Sequence, residues 1–418
     1  MTDLTVMALV LGGVALVRDR IASWPVTGPM LFVGAGVLLG PDLLSILQLG
    51  IEDDSVALAA EMTLVMLLFS DASRIDTPAL RRSLGLPLRL LGIGLPITIG
   101  LGTVVTAALL SDLSWAEAGL VAAILAPTDA ALGQPVVTNE RVPVRVRQAL
   151  NVESGVNDGL VVPVVAVFSV LAVGGALESS GALVGEAALE VLVGLAVGAA
   201  AGVAVGFMLR WANLHNWTGA DGLRLVAFAG ALGGFGLATA VGGNGFIAAF
   251  ACGIALHHVI GEDASRHAEL AEDIGQIGAS ATFVIFGATM VIPALEKLSW
   301  PVLICALLTL TIGRMLPVAL ATIGADLMAP TVAFLGWFGP RGLASMLFGL
   351  ILVSERGSEV DGVFSVITLV ILGSVVLHGA TAAPGAAIYA KWFGAHGHAS
   401  MAESVVVPEV RNRGVRDR

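Results

Sequence analysis

Four stretches of this sequence place charged or hydrogen-bonding side chains inside otherwise apolar runs. They are Ala126–Asp129, Asn151–Asp158, Arg314 and Arg341. An ionisable residue near the centre of a bilayer costs at least ~2.5 kcal/mol on insertion scales, so each needs a specific reason to be there. Carboxylate and hydroxyl oxygens are hard ligands of the kind that small cations prefer to sulfur or imidazole. These residue types therefore favour binding of a cation or a proton at membrane depth.

Helical spacing separates the polar residues of the second stretch into two strips. Ser154 and Asp158 are four residues apart and share one helix face, while Glu153 and Asn157 share the adjacent strip. The first strip presents a hydroxyl and a carboxylate to a cation. The second offers a carboxylate and an amide to an internal partner, and Arg341 is the predicted partner of Glu153.

Structural roles remain open for three of these acids. Glu153 could be one half of a buried ion pair that only holds helices together. Asp158 could make a capping or interhelical hydrogen bond. Asp129 could be the N-cap of a half-helix that starts after Pro127, and this role is compatible with binding an ion.

Two of the helices that carry these residues are predicted to be interrupted in mid-membrane. Pro127 removes a backbone donor and disfavours helical geometry at Ala126, and Gly336 and Gly339–Gly342 supply a matching break late in the chain. Unwound backbone at that depth is tolerated only beside protein or a water-filled cavity. Paired breaks indicate inverted repeats with a binding site between broken, crossing helices.

The composition requires that these elements be membrane helices. Of 418 residues, 56% are apolar and 13% charged, too few polar residues to cover a water-soluble globule. With 52 Gly and one Tyr, close-packed helices are favoured over an aromatic-girdled barrel. The predicted fold class is an all-α polytopic membrane protein. Thirteen apolar segments approach the roughly 20 residues that a span needs, at 4–17, 26–46, 55–70, 86–110, 115–138, 148–174, 183–209, 223–241, 244–260, 270–292, 299–320, 331–353 and 362–390.

The predicted membrane domain covers residues 1–390. Repeat one is about 4–174, a linker helix about 183–209, and repeat two about 223–390. Glycine recurs at every fourth position from Gly194 to Gly206 in the linker, which favours close helix packing over a moving seam. Residues 391–418 are predicted to form a short basic cytoplasmic tail that carries no nucleotide-binding unit.

The basic residues are distributed unequally between the two sides. If odd-numbered spans run from outside to inside, 17 Lys and Arg fall on one side, only Lys297 and Arg356 on the other, and Arg314 and Arg341 inside the membrane. Cytoplasmic loops carry the excess of Lys and Arg. We therefore expect a multi-pass protein of the cell membrane with an external N-terminus and a cytoplasmic C-terminus.

With these motifs in place, the chain resembles the NhaP-type members of the cation/proton antiporter-1 family, which includes the sodium/proton exchangers. Thr128-Asp129 resembles the family's fifth-helix motif at the crossover, and Glu153-Ser154 with Asn157-Asp158 resembles its sixth-helix signature. The segment Trp337–Ser345, with Arg341-Gly342, resembles the later arginine-bearing helix. The resemblance covers about residues 5–390.

The resemblance implies a role for each matching residue. Asp158 would be the shared carrier of proton and cation, with Thr128, Asp129 and Ser154 as further ligands. Asn157 stands where an electrogenic relative has a second aspartate, and would contact Asp129 or Glu153. The resemblance also implies that Arg314 neutralises crossed helix ends, and that the protein is a homodimer.

Two positions depart from the family pattern. Asp71 follows Phe69-Ser70, where several relatives place an acid directly after Phe, and it is interpreted as a charge of the cytoplasmic funnel in preference to a ligand. Pro340 precedes Arg341 where Leu is more usual, which would shift the break and the reach of the arginine.

The predicted function is secondary active antiport, without a cofactor, enzymatic activity or a nucleic-acid partner. A buried carboxylate binds a proton or a monovalent cation in preference to remaining bare, so Na⁺ (or Li⁺ or K⁺) and H⁺ compete for Asp158. Asn157 offers no second titrating group, which favours electroneutral 1:1 exchange by alternating access. Two alternatives stay open: K⁺/H⁺ antiport on the same scaffold and, remotely, an intramembrane aspartyl protease using Asp129 and Asp158.

Overall fold

The computed structural model describes residues 3–18, 20, 24–50, 54–75, 85–129, 132–173, 180–356, 361–396 and 402–404. Within these ranges the regular structure is helical and contains no β-strand. The helices are α1 (Asp3–Arg18), α2 (Gly28–Leu39), α3 (Asp54–Ala72), α4 (Gly85–Leu109, with a π-helical turn at Leu90–Gly94), α5 (Trp115–Ile124), α6 (Gln134–Val137), α7 (Val144–Val173), α8 (Ser180–Leu214), α9 (Ala220–Ala240), α10 (Gly245–Ile260), α11 (Asp263–His267), α12 (Glu269–Thr289), α13 (Val291–Glu296), α14 (Trp300–Leu310), α15 (Ile312–Ala321), α16 (Ala329–Trp337), α17 (Leu343–Arg356) and α18 (Asp361–His396), followed by a 3₁₀ turn at Ala402–Ser404.

Each of the thirteen predicted spans contains a helix or a pair of helices separated by a break. Seven helical segments of the described chain are long and apolar enough to cross a membrane, and five shorter apolar helices accompany them. The last helix continues to His396, past the predicted end of the membrane domain at 390. Residues 397–401 and 405–418 of the predicted tail lie outside the described residues, as do Arg81 and Arg82.

Both predicted breaks are present. Helix α5 ends at Ile124, before Pro127, and α16 ends at Trp337, before Gly339 and Pro340. A proline cannot donate an amide hydrogen bond and disfavours helical geometry at the residue before it, so the helix stops short of each proline. Helical structure resumes at Gln134 in α6 and at Leu343 in α17.

The chain folds into two compact units, and the division falls inside α3, α7 and α12. Unit 1 comprises Met1–Leu58, Ser83–Asn157 and Ser280–Arg418. It contains both broken helices and pairs α4 with α5, α15 with α16, and α14 with α18. One apolar cluster of this unit includes Leu335, Phe338 and Tyr389. This unit therefore holds most of the predicted polar site.

Unit 2 comprises Ala59–Arg82 and Asp158–Ala279, and its centre is the packing of α8 against α9 and α10. A Cβ atom added at Gly198 or Gly202 would collide with the backbone of α10, and one added at Gly194 would collide with the backbone of Asn244, the N-cap of α10. The glycine stripe of α8 therefore lets two backbones touch, and the predicted close packing is confirmed. The preference for packing over a moving seam stays a prediction.

Candidate functional site

The two broken helices of unit 1 are hydrogen-bonded to each other at their breaks. The backbone amide of Asp129 donates to the Pro340 carbonyl at 2.7 Å. The Asp129 carboxylate Oδ2 accepts from the Leu343 amide at 2.9 Å, at the start of α17. In return, the Ser345 hydroxyl donates to the Ile124 carbonyl at 2.7 Å, at the end of α5. Each broken helix thus satisfies backbone groups that the other leaves unpaired in the membrane.

Asp129 does cap a half-helix, but not the one that the sequence predicted. The helix after Pro127 begins only at Gln134, and its N-cap is Gly133, which has no side chain. The carboxylate lies instead at the N-terminus of α17, where a negative charge is favoured by the helix dipole and by unpaired amides. The prediction that Asp129 caps a half-helix is therefore correct, but the helix that it caps is α17 and not the one that follows Pro127.

A buried cluster of a threonine, a serine and an asparagine lies beside this crossing. The Thr128 and Ser154 hydroxyl oxygens are 2.9 Å apart, and the Asn157 side-chain amide donates to Thr128 Oγ1 at 2.8 Å. All three side chains are buried. The resemblance implied Asp129 or Glu153 as the partner of Asn157, and the structure corrects this contact to Thr128.

This cluster keeps oxygen atoms available for a ligand. Asn157 Oδ1 is buried and accepts no hydrogen bond within the described residues. A carbonyl oxygen and two hydroxyl oxygens within one hydrogen-bonded group are hard ligands suited to a small cation. The structure therefore brings the predicted ligands Thr128 and Ser154 together and places the Asn157 side chain, with its Oδ1 atom, beside them.

Glu153 forms a buried ion pair with Arg314. Two guanidinium nitrogens of Arg314 donate to the two carboxylate oxygens at 2.5 and 2.7 Å. Both side chains are almost wholly buried, at 4% and 3% exposed. The prediction that Arg341 is the partner of Glu153 is wrong. The spacing of residues within one helix cannot show which of two distant arginines lies opposite Glu153. In the structure the two terminal guanidinium nitrogens of Arg314 face the carboxylate of Glu153.

Arg341 lies in the break between α16 and α17, and its side chain is 1% exposed. Its backbone amide donates to the Ser374 hydroxyl at 2.6 Å. The Ser374 hydroxyl oxygen lies 3.2 Å from Nδ1 of His378, and the His378 ring packs against Trp337. Helix α18 thus fixes the backbone of the second break, a contact that sequence reasoning did not identify.

Asp158 follows Asn157 directly in α7 and is the first residue of unit 2 in that helix. Helix α7 is continuous from Val144 to Val173, so the four-residue spacing from Ser154 is preserved. The Asp158 side chain is partly buried. Its role as carrier stays a prediction from its position in the helix.

Asp71 lies in the last turn of α3 in unit 2 and is buried, at 6% exposed. The nearby Arg74 forms an ion pair with Glu272, and His257 contacts the Ser73 carbonyl at 2.8 Å through its ring Nδ1. The interpretation of Asp71 as a funnel charge remains a prediction, and its burial argues against a freely hydrated side chain.

Sequence reasoning missed Ser345 and Ser374. Ser345 joins α17 to the end of α5, and Ser374 joins α18 to the break at Arg341. Ser345 lies within the arginine-bearing segment that resembles the family, so the motif contained it without giving it a role. Ser374 carries no local signal, because its partner is a backbone amide 33 residues away.

Comparison with known proteins gives consistent matches. The family model described as sodium/hydrogen exchanger, transmembrane, matches residues 6–387. A protein of Shewanella oneidensis named K(+)/H(+) antiporter NhaP2 is 26% identical over 362 residues, which are 84% of this chain and 61% of that protein. A protein of Alkalimonas amylolytica named K(+)/H(+) antiporter NhaP is 26% identical over 330 residues, 78% of this chain and 56% of that protein. The chain thus spans about three-fifths of the length of these relatives.

Solved structures share the fold. The sodium proton antiporter MjNhaP1 from Methanocaldococcus jannaschii at pH 8 superposes with a TM-score of 0.70 at 21% identity, over 90% of this chain and 98% of that one. An electron-microscopy map of the same protein gives a TM-score of 0.72 at 21% identity, over 94% and 97% of the two chains. The fold is therefore that of an all-α, polytopic membrane protein.

Proposed function

The chain belongs to the sodium/hydrogen exchanger family, and on that premise we propose that it is a secondary antiporter that exchanges a monovalent cation for H⁺ across the cell membrane. Sodium is the proposed cation, and Asp158 is the proposed shared carrier. Thr128, Ser154 and Asp129 are proposed as further oxygen ligands, with Glu153, Arg314, Asn157 and Arg341 as supporting residues.

The observation that carries this proposal is the buried Thr128–Ser154–Asn157 group at the crossing of two broken helices. Hydroxyl and amide oxygens at this depth are costly unless they are satisfied or bind something. Broken helices that meet in mid-membrane are the usual setting of ion sites in repeat-built transporters. Glu153 and Arg314 already neutralise each other, so Glu153 is assigned a supporting role, and Asp158 and Asp129 are the acids proposed to bind cargo.

The proposed mechanism is competition for one carboxylate. In a site of low dielectric constant the bare charge of Asp158 is unfavourable, so either Na⁺ or H⁺ must neutralise it while it changes sides. Release of one ion and capture of the other then couple the two gradients. A cycle in which the carboxylate crosses bare is suppressed by the same cost, and this prevents leakage.

The neutral side chain of Asn157 supports an electroneutral cycle. It donates to Thr128 Oγ1 and carries no proton that could be exchanged at neutral pH. One proton would therefore replace one monovalent cation, with no net movement of charge.

Exchange of K⁺ for H⁺ is the second candidate, because both relatives described above carry the name K(+)/H(+) antiporter. Hydroxyl, amide and carboxylate oxygens bind either ion, and discrimination depends on the number of ligands and the size of the site. The two candidates share the carrier and differ only in the preferred cation.

Three further features belong to this proposal. The lipid bilayer is the partner of the apolar helix faces. The 17-to-2 split of basic residues supports an external N-terminus and a cytoplasmic C-terminus. A homodimer is proposed from the family resemblance.

The test uses liposomes that contain the purified chain and a pH-sensitive dye in an acidic lumen. Addition of external Na⁺, Li⁺ or K⁺ in parallel should make the lumen alkaline, fastest with the preferred cation. The variant Asp158→Asn should lose this response. Asp263→Asn, the same change at a half-exposed surface residue, is the matched control and should transport normally. Equal alkalinisation by Asp158→Asn and wild type would overturn the carrier assignment, and no response to any cation by wild type would overturn the proposed function.

A further inference from the structure

The guanidinium of Arg341 is buried without the hydrogen bonds that such a group requires. Its Nε, Nη1 and Nη2 atoms are all inaccessible, and none has a hydrogen-bond partner within the described residues. An arginine side chain presents five N–H donors in a fixed fork and stays charged in proteins. Burying a charged group without hydrogen-bond partners is strongly unfavourable, so a guanidinium without acceptors indicates a missing ligand.

The acids near Arg341 accept no hydrogen bond from its guanidinium within the described residues. Arg314 and Glu153 both act electrostatically on this group. Both oxygens of the Glu153 carboxylate already accept from the Arg314 fork. The nearby Asp129 carboxylate accepts from the Leu343 amide. None of the Arg341 guanidinium nitrogens has an acceptor within the described residues, and a negative ligand would supply one.

A small cavity adjoins the Arg341 side chain and has room for about one water-sized particle. Besides Arg341, it is lined by Thr98, Thr106 and Thr309 among apolar residues. The Thr98 hydroxyl is likewise buried with no hydrogen-bond partner in the described part of the chain, whereas Thr106 Oγ1 lies 3.6 Å from the Cys305 sulfur. Two buried donors that each lack an acceptor, one in α4 and one in the break between α16 and α17, therefore line one cavity.

We propose that this cavity is a binding site for a small monovalent inorganic anion of the halide class, such as chloride, held by Arg341 and the Thr98 hydroxyl. The ligand must accept hydrogen bonds from a guanidinium and a hydroxyl, which excludes a cation. A negative charge is favoured over a neutral water molecule, because a buried guanidinium gains the attraction of an opposite charge as well as the hydrogen bonds. It must also be compact, which excludes carboxylates and other organic anions. The anion would be a resident component of unit 1 and no part of the transported cargo.

The site predicts a stabilisation that depends on the anion and can be measured without transport. Thermal unfolding of the purified full chain is followed at constant Na⁺ concentration and ionic strength while gluconate is exchanged for chloride or bromide. Chloride and bromide should raise the melting temperature with saturation, whereas gluconate, which is too large for the cavity, should not. An equal melting temperature in all three anions would overturn the proposal.

Three variants separate a site from a general salt effect. Arg341→Gln should remove the halide response. Thr98→Val, which deletes one donor to a charged ligand, should raise the half-saturating chloride concentration by about tenfold or more. Thr103→Val is the matched control in the same helix, because Thr103 bonds the Ile99 carbonyl of its own helix and does not line the cavity; it should leave that concentration unchanged.

If Arg341→Gln fails to fold, the Thr98→Val variant and a bromide soak still test the proposal. Equal chloride dependence in Thr98→Val and Thr103→Val would overturn the assignment of the site. Anomalous scattering from bromide beside the Arg341 guanidinium would support it, and a difference map in bromide with no peak there would contradict it. These measurements use no cation gradient, so their failure is distinct from failure of the proposed antiport.

Discussion

At the scale of single residues, the buried polar groups of unit 1 divide by whether the protein itself satisfies them. Glu153 and Arg314 form a two-pronged ion pair, so the pair carries no net charge. Thr128, Ser154 and Asn157 satisfy one another only in part and keep an acceptor oxygen in reserve. The first group supports the helices, and the second is the one equipped to bind an ion.

Breaking the buried pair should be more harmful than deleting it. Glu153→Gln or Arg314→Gln alone leaves one buried charge uncompensated, which should lower the free energy of unfolding by about 3–5 kcal/mol. The double variant should lose less than the sum of the two single changes, as a double-mutant cycle of unfolding in detergent would show. The same cycle on the exposed pair Arg266–Asp263 should give below about 1 kcal/mol in total. Additive losses at Glu153 and Arg314 would mean that the two residues act separately.

Thr128 should matter through its hydroxyl and not through its size. Thr128→Val removes the acceptor for Asn157 and the contact to Ser154, which should cost about 1–3 kcal/mol and raise the cation concentration for half-maximal exchange. Thr128→Ser keeps the hydroxyl and should retain near-normal affinity. Dye-based exchange in liposomes measures both variants; a valine variant with unchanged cation affinity would remove Thr128 from the ligands.

The sequence allowed most of the site residues to be predicted but not all of their partners. Their chemistry was visible because charges inside apolar runs are rare, as at Glu153 and Arg314. The correct arginine for Glu153 was not visible, because it depends on the rotation and depth of two other helices. The same reason explains why Asn157 contacts Thr128: that pairing depends on where the unwound stretch after Ala126 runs.

At the scale of elements, the crossing of the broken helices is a reciprocal capping arrangement. Asp129 supplies an acceptor to the N-terminus of α17, and Ser345 supplies a donor to the C-terminus of α5. Gly342 leaves the space that the carboxylate occupies, since a Cβ atom there would collide with Asp129. The polar side chains at the breaks thus replace hydrogen bonds that continuous helices would have made.

Two substitutions at Asp129 separate capping from ion binding. Asn is as good an N-cap as Asp, so Asp129→Asn should keep stability within a few tenths of a kcal/mol, while Asp129→Ala should lose about 0.5–2 kcal/mol. Both remove the negative charge, so both should weaken cation binding if the carboxylate is a ligand. Unfolding and exchange are measured on the same preparations. Normal exchange by Asp129→Asn would leave Asp129 with the capping role alone.

The elements were easier to predict than their connections across space. Apolar runs located a helix in all thirteen predicted spans, and Pro127 and the stretch Gly336 to Gly342 located the two breaks. Local sequence could not show that Asp129 caps α17, because the two residues that meet, Asp129 and Leu343, are 214 positions apart.

At the scale of the whole molecule, the proposal requires that charge crosses the membrane only in neutralised form. The described helices are largely apolar, and the buried acid Glu153 is already paired. With Asn157 neutral, one carrier carboxylate would exchange one proton for one cation.

This stoichiometry predicts no steady-state current. On a solid-supported membrane, liposomes with the wild-type chain should exchange Na⁺ for H⁺ without sustained charge movement, and exchange should not depend on voltage. The dye assay on the same liposomes is the control that shows activity. A steady current that reverses with voltage would mean more than one proton per cation.

The most direct measurement of the central claim is the number of protons released when the purified protein binds Na⁺, obtained by calorimetry in buffers of different ionisation enthalpy. If the two ions share Asp158, each Na⁺ bound to the protonated protein should release one proton, and the apparent affinity for Na⁺ should fall as the pH falls. Asp158→Asn should lose this linked exchange, and Asp263→Asn should retain it. Sodium binding that releases no proton, or that persists with the same proton release in Asp158→Asn, would contradict the account.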